Sequence, residues 1–301
     1  MRVAAIQTTA GVDRAANLTA AQALVEEAAD AGAALVVLPE YFSVAGTPEV
    51  LARWAEDLEG PTMAWASALA ARLGIHLVAG SIPERSRSED GRLSNTSCLI
   101  APDGALIAIY RKIHLFDVAL RGVAFRESDT IAPGDEVVVA SLGPADPHEP
   151  DALAPVLGLS LCYDIRFPEV YRMMALDGAT IVAVPAAFTA ATGPAHWELL
   201  LRARAVEDQV FVIGAGQVGT LPPGMPRCHG HSMIVDPWGV VLAERTDPDP
   251  GIVVADLDLA ALITAGAQPL GRGGPLKKNR SHENETGGLW QPAGALCRVR
   301  A

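Results

Sequence analysis

Four short, largely apolar runs most restrict what this chain can fold into: Ala33–Leu38, Val156–Cys162, Thr180–Pro185 and Val210–Ala215. Each reads as a strand, and the continuous run Ala33–Leu38 suits one covered on both faces. Helical patterns lie between them. The first is expected from Asn17, an N-cap residue type, to about Asp30, with Leu18, Ala21, Leu24, Val25 and Ala28 along one face. Others are expected at about Pro61–Leu73, at Pro168–Asp177 with Pro168 as the first helical residue, and at His196–Glu207. Val3–Thr8, Ile75–Ser81 and Gly251–Asp256 read as further strands. Two hairpins are expected: Asn95–Ile100 with Leu106–Tyr110 around Pro102-Asp103-Gly104, and Ser232–Pro237 with Val240–Glu244 around Trp238-Gly239.

Strands alternating with helices imply an α/β layered domain, and the hairpins require mixed rather than all-parallel sheets. No Pro/Ser-rich linker divides the chain. Ala33–Glu40 and Ala179–Ala186 echo one another, since each apolar strand follows a helix and Gly and runs into Pro. Pseudo-symmetry and chance explain so short a likeness equally well. Beyond Leu270 the periodicity is lost, starting at Gly271-Arg272-Gly273-Gly274.

With 301 residues, half of them hydrophobic and 19% charged, the chain has material for one elaborated folded domain or two modest ones. The net charge of -12 repels phosphates, and the one basic cluster, Lys277, Lys278 and Arg280, is too small to make nucleic acid an expected partner. Gln7, Thr8 and Thr9 interrupt the N-terminal apolar residues before a signal-peptide core can form, so export is not indicated. No stretch reaches the roughly 18 to 20 apolar residues that cross a bilayer, so no membrane partner is expected. Cys98, Cys162, Cys228 and Cys297 are widely spread without a C-x-x-C pair, which fits a reducing compartment and a cytoplasmic location.

Three residues stand where chemistry is often done. Cys162 closes an apolar strand just before the helix at Pro168, a position where backbone dipoles favour thiolate, although a buried structural thiol has the same pattern. Glu40 follows Leu38-Pro39 at the end of another apolar strand, and is either a base or a helix-start anchor. Lys112 follows the strand ending at Tyr110, a place where a basic residue is usually only solvated surface. Two other motifs carry less. Gly214-Ala215-Gly216-Gln217-Val218-Gly219 has dinucleotide-loop spacing, but Pro222-Pro223 forbids the helix that should follow. Cys228-His229-Gly230-His231 offers metal-ligand types without a fourth ligand at usable spacing, so no metal is expected.

Taken together, Leu38-Pro39-Glu40-Tyr41, Tyr110-Arg111-Lys112-Ile113-His114-Leu115-Phe116 and Leu161-Cys162-Tyr163-Asp164-Ile165-Arg166-Phe167-Pro168-Glu169 resemble, in order, the three signature regions of the nitrilase superfamily. The resemblance runs from Val3 to about Asp258 and is closest to the Nit-type amidases, with further agreement in Thr192–Glu198, Arg202–Ala205 and Gly230–Gly239. It implies an α-β-β-α sandwich with mixed sheets, a hydrolase domain over 1–270, and a tail over 271–301 at a homodimer interface. It also implies a catalytic set of Glu40, Lys112 and Cys162, a second glutamate at Glu127, and an oxyanion contact from the Tyr163 backbone N–H. Tyr41, Arg166, Phe188, Thr192 and His196 are the substrate-binding positions that it suggests.

Amides are poor electrophiles, so their hydrolysis needs a strong nucleophile, a proton donor for the leaving amine and oxyanion stabilisation. The implied reaction is cysteine-dependent hydrolysis of a primary amide on a small carboxylate-bearing molecule, deaminated glutathione or an omega-amide of a 2-oxo acid. It proceeds through a thioester and requires no cofactor. A nitrilase or an N-carbamoyl amidase would use the same trio, and a non-catalytic binding or redox-sensing protein could keep the fold. For the Cys162 thiol, Lys112 would lower the pKa while burial and Glu40 would raise it.

Overall fold

The computed structural model describes residues 1–85, 90–120, 123–144, 154–222, 225–260 and 262. The segment 271–301, with Lys277, Lys278, Arg280 and Cys297, lies outside the described residues.

The first sheet contains β1 (Arg2–Gln7), β2 (Leu35–Val37), β3 (His76–Val78), β4 (Ile82–Glu84), β5 (Ser94–Ile100) and β6 (Leu106–Arg111). A separate hairpin, β7 (Asp117–Leu120) with β8 (Val123–Arg126), comes next. The second sheet is built from β9 (Val138–Ser141), β10 (Val156–Leu159), β11 (Ile181–Ala186) and β12 (Phe211–Gly216). After the ribbon β13 (Val218–Gly219) and β14 (Cys228–His229), it is completed by β15 (Met233–Val235) and β16 (Val241–Glu244). Finally β17 (Gly251–Asp256) returns to the first sheet and pairs antiparallel with β1.

Both sheets are mixed. In the first the order is β17-β1-β2-β3-β5, with β1, β2 and β3 parallel, β3 and β4 sharing one edge of β5, and β6 on the other. In the second the order is β9-β10-β11-β12-β15-β16, with β10, β11 and β12 parallel.

The lack of polar alternation in the strands follows from the layering. Along β1, Val3 and Ala5 belong to the core shared with the second sheet, while Ala4 and Ile6 pack with helices α1 (Arg14–Asp30) and α3 (Pro61–Leu73). Helices α4 (Pro168–Leu176) and α5 (Gly193–Asp208) cover the second sheet through Tyr171, Met174, Trp197 and Leu201. The result is an α-β-β-α sandwich in which neither face of either sheet's centre meets water.

Several boundaries differ from the sequence reading. Helix α1 starts three residues before Asn17, because Asp13 accepts the N–H groups of Ala15 and Ala16 at 2.9 and 3.2 Å. Asn17 instead ties a loop, accepting from the N–H of Gly11 and donating to Gly11 and Ser43 carbonyls. Helix α5 starts at Gly193 rather than His196, with Pro194 in its first turn. The short helix α2 (Pro48–Trp54) and the β7–β8 hairpin were not expected. Most consequentially, β10 stops at Leu159, so Cys162 is not on a strand but opens a 3-10 turn, Cys162–Arg166. No helix among the described residues is long and apolar enough to cross a membrane.

Candidate active site

Cys162 has φ of 44°, in the left-handed region that costs a non-glycine residue about 1–2 kcal/mol. Two residues before Cys162, the Ser160 hydroxyl is engaged in the core, 2.9 Å from both the Tyr171 hydroxyl and the Ala183 carbonyl.

Glu40 follows β2 and is buried, 2% exposed. Its Oε1 accepts from Lys112 Nζ at 2.9 Å and from Asn95 Nδ2 at 2.9 Å, and its Oε2 accepts the N–H of Ala187, just past β11, at 2.8 Å. Lys112, also 2% exposed, follows β6 and donates in addition to Glu127 Oε2 at 2.9 Å and Oε1 at 3.2 Å. Glu127 opens a 3-10 turn after β8 and accepts the N–H of Phe116 at 2.7 Å. Asn95 Nδ2 reaches Glu127 Oε1 as well, at 3.2 Å, so one amide and one ammonium bridge two buried carboxylates. Such groups are tolerable away from water only because each oxygen has donors.

The charges set the protonation states. Burial would lower the Lys112 pKa, but the Glu127 and Glu40 carboxylates together hold it well above its ordinary value, so it is an ammonium. Burial pushes the Cys162 thiol well up, the Glu40 charge adds to this, and Lys112 only partly opposes it. At rest the sulfur is therefore a thiol with Glu40 as its hydrogen-bond acceptor, not a preformed thiolate.

A cavity of about 320 Å³ is lined by Glu40, Lys112, Glu127 and Cys162 together. Leu51, Phe116, Phe125, Ile131 and Met225 supply apolar wall, and Tyr41 and Arg126 also line it. The other suggested substrate positions fall elsewhere. The Arg166 guanidinium lies 3.3 Å from His196 Nδ1 and covers the Tyr163 and Phe188 rings at 5.5 and 5.2 Å. Phe188 packs on Trp197, and Thr192 pairs its hydroxyl with Thr189 at 3.0 Å. Of these, Thr189 lines the cavity; Arg166, Phe188, Thr192 and His196 do not. Tyr163 follows Cys162 in the turn, its ring edge-on to Phe116.

Asn95 and Asp164 were not singled out as site residues from the sequence. One signal was present: Ser94-Asn95-Thr96-Ser97 lies in a strand whose every residue is buried, and buried polar side chains need partners. The remaining motifs take structural places. The glycine motif runs from β12 into β13. His229 and His231 stack with centroids 4.3 Å apart, and His231 Nδ1 lies 2.6 Å from Glu244 Oε1. Among the described residues no group of three or more His, Cys, Asp or Glu could hold a metal ion.

The profile of the carbon-nitrogen hydrolase family matches residues 2–266. This chain belongs to that family. The hydrolase is 40% identical to the deaminated glutathione amidase of Synechocystis sp. over 85% of its own length and 90% of that protein's. It is 38% identical to the omega-amidase of Homo sapiens, over 87% and 90%. Its fold matches that of Saccharomyces cerevisiae Nit3, a member of branch 10 of the nitrilase superfamily, with a TM-score of 0.76 and 31% identity, covering 94% of this chain and 97% of the other. A mutant of the amidase from Nesterenkonia sp. AN1, with acrylamide added at its active site cysteine, aligns with a TM-score of 0.69 and 28% identity over 88% and 97%. The hydrolase is thus an enzyme of carbon-nitrogen bonds with a nitrilase-superfamily fold.

Proposed function

We propose that this hydrolase cleaves a primary amide on a small carboxylate-bearing molecule, with Cys162 as nucleophile. The observation that carries the reading is that Cys162 lines the same cavity as the buried Glu40–Lys112–Glu127 cluster. As the sulfur attacks the amide carbonyl, Glu40 takes the thiol proton, which suits a thiol whose resting pKa is high. Lys112 and the Tyr163 N–H hold the oxyanion. Glu40 then passes the proton to the departing nitrogen, and ammonia leaves a thioester on Cys162. Water positioned by Glu127 gives one proton to Glu40 and its hydroxide to the acyl carbon. The acid leaves, and Glu40 returns the proton to the sulfur.

Deaminated glutathione and omega-amides of 2-oxo acids are the preferred substrates, on the strength of what the relatives are named for. Arg126, in the cavity lining, offers counter-charge to the carboxylate. The apolar part of the lining, Leu51, Phe116, Phe125, Ile131 and Met225, suits a short carbon chain.

Ammonia release from a panel of omega-amides, deaminated glutathione, nitriles and N-carbamoyl compounds tests the reading, together with mass spectrometry of Cys162. An acyl adduct formed with the omega-amides or deaminated glutathione supports it; turnover confined to nitriles or N-carbamoyl compounds overturns it.

We further propose a homodimer through the outer helices, where Leu176, Leu199 and Val206 are exposed, with the tail beyond residue 270 contributing. Light scattering of the purified protein tests this. A reducing, cytoplasmic setting accords with Cys98, Cys162 and Cys228 being free.

A further inference from the structure

The groups proposed to react come from different sheets. Glu40 and Lys112 follow β2 and β6 of the first, and Cys162 follows β10 of the second, so their alignment depends on what ties the end of β6 to the turn after β10. The end of β6 is itself anchored within its sheet, since the Arg111 guanidinium donates to both oxygens of the buried Glu84 on β4 at 2.7 and 2.6 Å.

One side chain carries that anchorage across. Asp164 is fully buried, and its Oδ2 accepts the N–H of Leu161 at 2.9 Å and the hydroxyl of Tyr110 at 2.6 Å. Its Oδ1 accepts the N–H of His114 at 2.9 Å and lies 2.9 Å from His114 Nδ1. Leu161 and Asp164 flank Cys162, while Tyr110 and His114 flank Lys112. A single carboxylate therefore spans both reacting segments with all of its acceptor positions occupied. The His114 ring adds a second strut, stacked 3.6 Å from Phe167 at the end of the Cys162 turn. Tyr110 stays a donor, because burial and then the Asp164 charge hold its phenol well above the ordinary pKa.

We propose that Asp164 is a positioning residue that sets the Cys162 sulfur against Lys112 and Glu40; this rests on the reading of Cys162 as nucleophile. Asp164 also closes the turn that holds Cys162 at its left-handed φ, by accepting the N–H of the residue before it. Misplacement of a reacting group by about 1 Å can cost on the order of 100-fold in rate. Loss of the clamp is therefore a kinetic defect first.

Two variants test it, Asp164→Asn and Tyr110→Phe, each assayed as kcat per alkylatable Cys162, as KM, and as the pH profile of Cys162 alkylation by iodoacetamide. Asparagine keeps the shape but has one acceptor oxygen for the four donors. Its kcat per site is expected to fall on the order of 100-fold with KM within about twofold. Tyr110→Phe removes one hydrogen bond and is expected to fall about 2- to 10-fold. In both, the alkylation profile should shift, since the sulfur moves relative to Glu40 and Lys112. If Asp164→Asn does not fold, Tyr110→Phe decides. Wild-type kcat per site and an unmoved alkylation profile, with only a lower Tm, would overturn the proposal. Should the wild type hydrolyse no amide, the functional reading fails separately, and the alkylation profiles alone judge Asp164.

Discussion

The two sheets share a frame and differ in chemistry. Each has three parallel strands at its centre, β1-β2-β3 and β10-β11-β12, one antiparallel strand beside the first of them and a two-strand continuation beyond the third, β5-β6 and β15-β16, to which the first sheet adds β4 on the edge of β5 that β3 also uses. Each is covered by helices on its outer face. The strand beyond the third parallel strand shows the difference. In the first sheet it is β5, with Ser94-Asn95-Thr96-Ser97 buried; in the second it is β15, Met233-Ile234-Val235, wholly apolar. Lys112, after β6, is buried among carboxylates, while Arg245, after the corresponding β16, caps surface carbonyls of Asp249 and Pro250. A repeated frame thus fixes where strand ends converge. Which charged groups meet there is decided by a few buried polar side chains present in only one copy of the frame.

Removing the second sheet's contribution should have the largest effect. Cys162→Ala is expected to reduce ammonia release by more than about 1,000-fold, with no acyl adduct by mass spectrometry, while leaving thermal stability nearly unchanged. Next comes the first sheet's cation. Lys112→Ala leaves Glu40 and Glu127 buried without their ammonium, and is expected to lower stability by about 3–5 kcal/mol in denaturant titration and to lose hydrolysis as well. Asn95→Leu makes β5 apolar like β15 and strips a donor from both carboxylates; a loss of about 1–3 kcal/mol in stability and about tenfold in kcat is expected.

The smallest effect tests the contrast between carboxylates. Asp208, at the end of α5, faces Arg172 Nε at 3.1 Å, yet among the described residues neither of its oxygens completes a hydrogen bond. Burial raises its pKa from 3.8 to about 6, the Arg172 charge opposing. The folded protein then binds this proton more tightly than the unfolded chain, so the stabilising contribution present below about pH 4 is lost as pH rises through about 6. Asp208→Asn should remove that pH dependence and raise Tm at pH 8 by roughly 2–4 °C in a thermal scan.

How much of this was legible depended on range. Glu40, Lys112 and Cys162 each stand beside a recognisable strand, so their order along the chain could be matched without knowing their contacts. Mixed sheets followed from turn residues at Gly104 and Gly239, both at positive φ. The Ala33–Glu40 and Ala179–Ala186 echo proves to be β2 and β11, the central strands of the two matching frames. Asp164 was not legible as a clamp, because its partners Tyr110 and His114 lie 54 and 50 residues away and nothing local signals them. Asp13 and Asn17 are both cap-type residues, and only tertiary contacts, Asn17 with Ser43, decide between them. The helix expected from His196 starts three residues earlier, at Gly193, with Pro194 in its first turn. The left-handed φ of Cys162 left no mark, since a thiol at a strand end and one in a turn after it are spelled alike.

The pairing of β1 with β17 has a consequence for how the molecule comes into being. Arg2 to Gln7 take Asp256 to Gly251 as their neighbours on one side, so that edge cannot be closed until nearly the whole described chain has been synthesised. At about 5–20 residues per second the wait is roughly 12 to 50 s. Throughout it, Val3-Ala4-Ala5-Ile6 present open backbone groups on an apolar strand, the kind of edge that other chains can pair with. Nascent chains of this enzyme therefore carry an open apolar edge at a strand that ends fully buried.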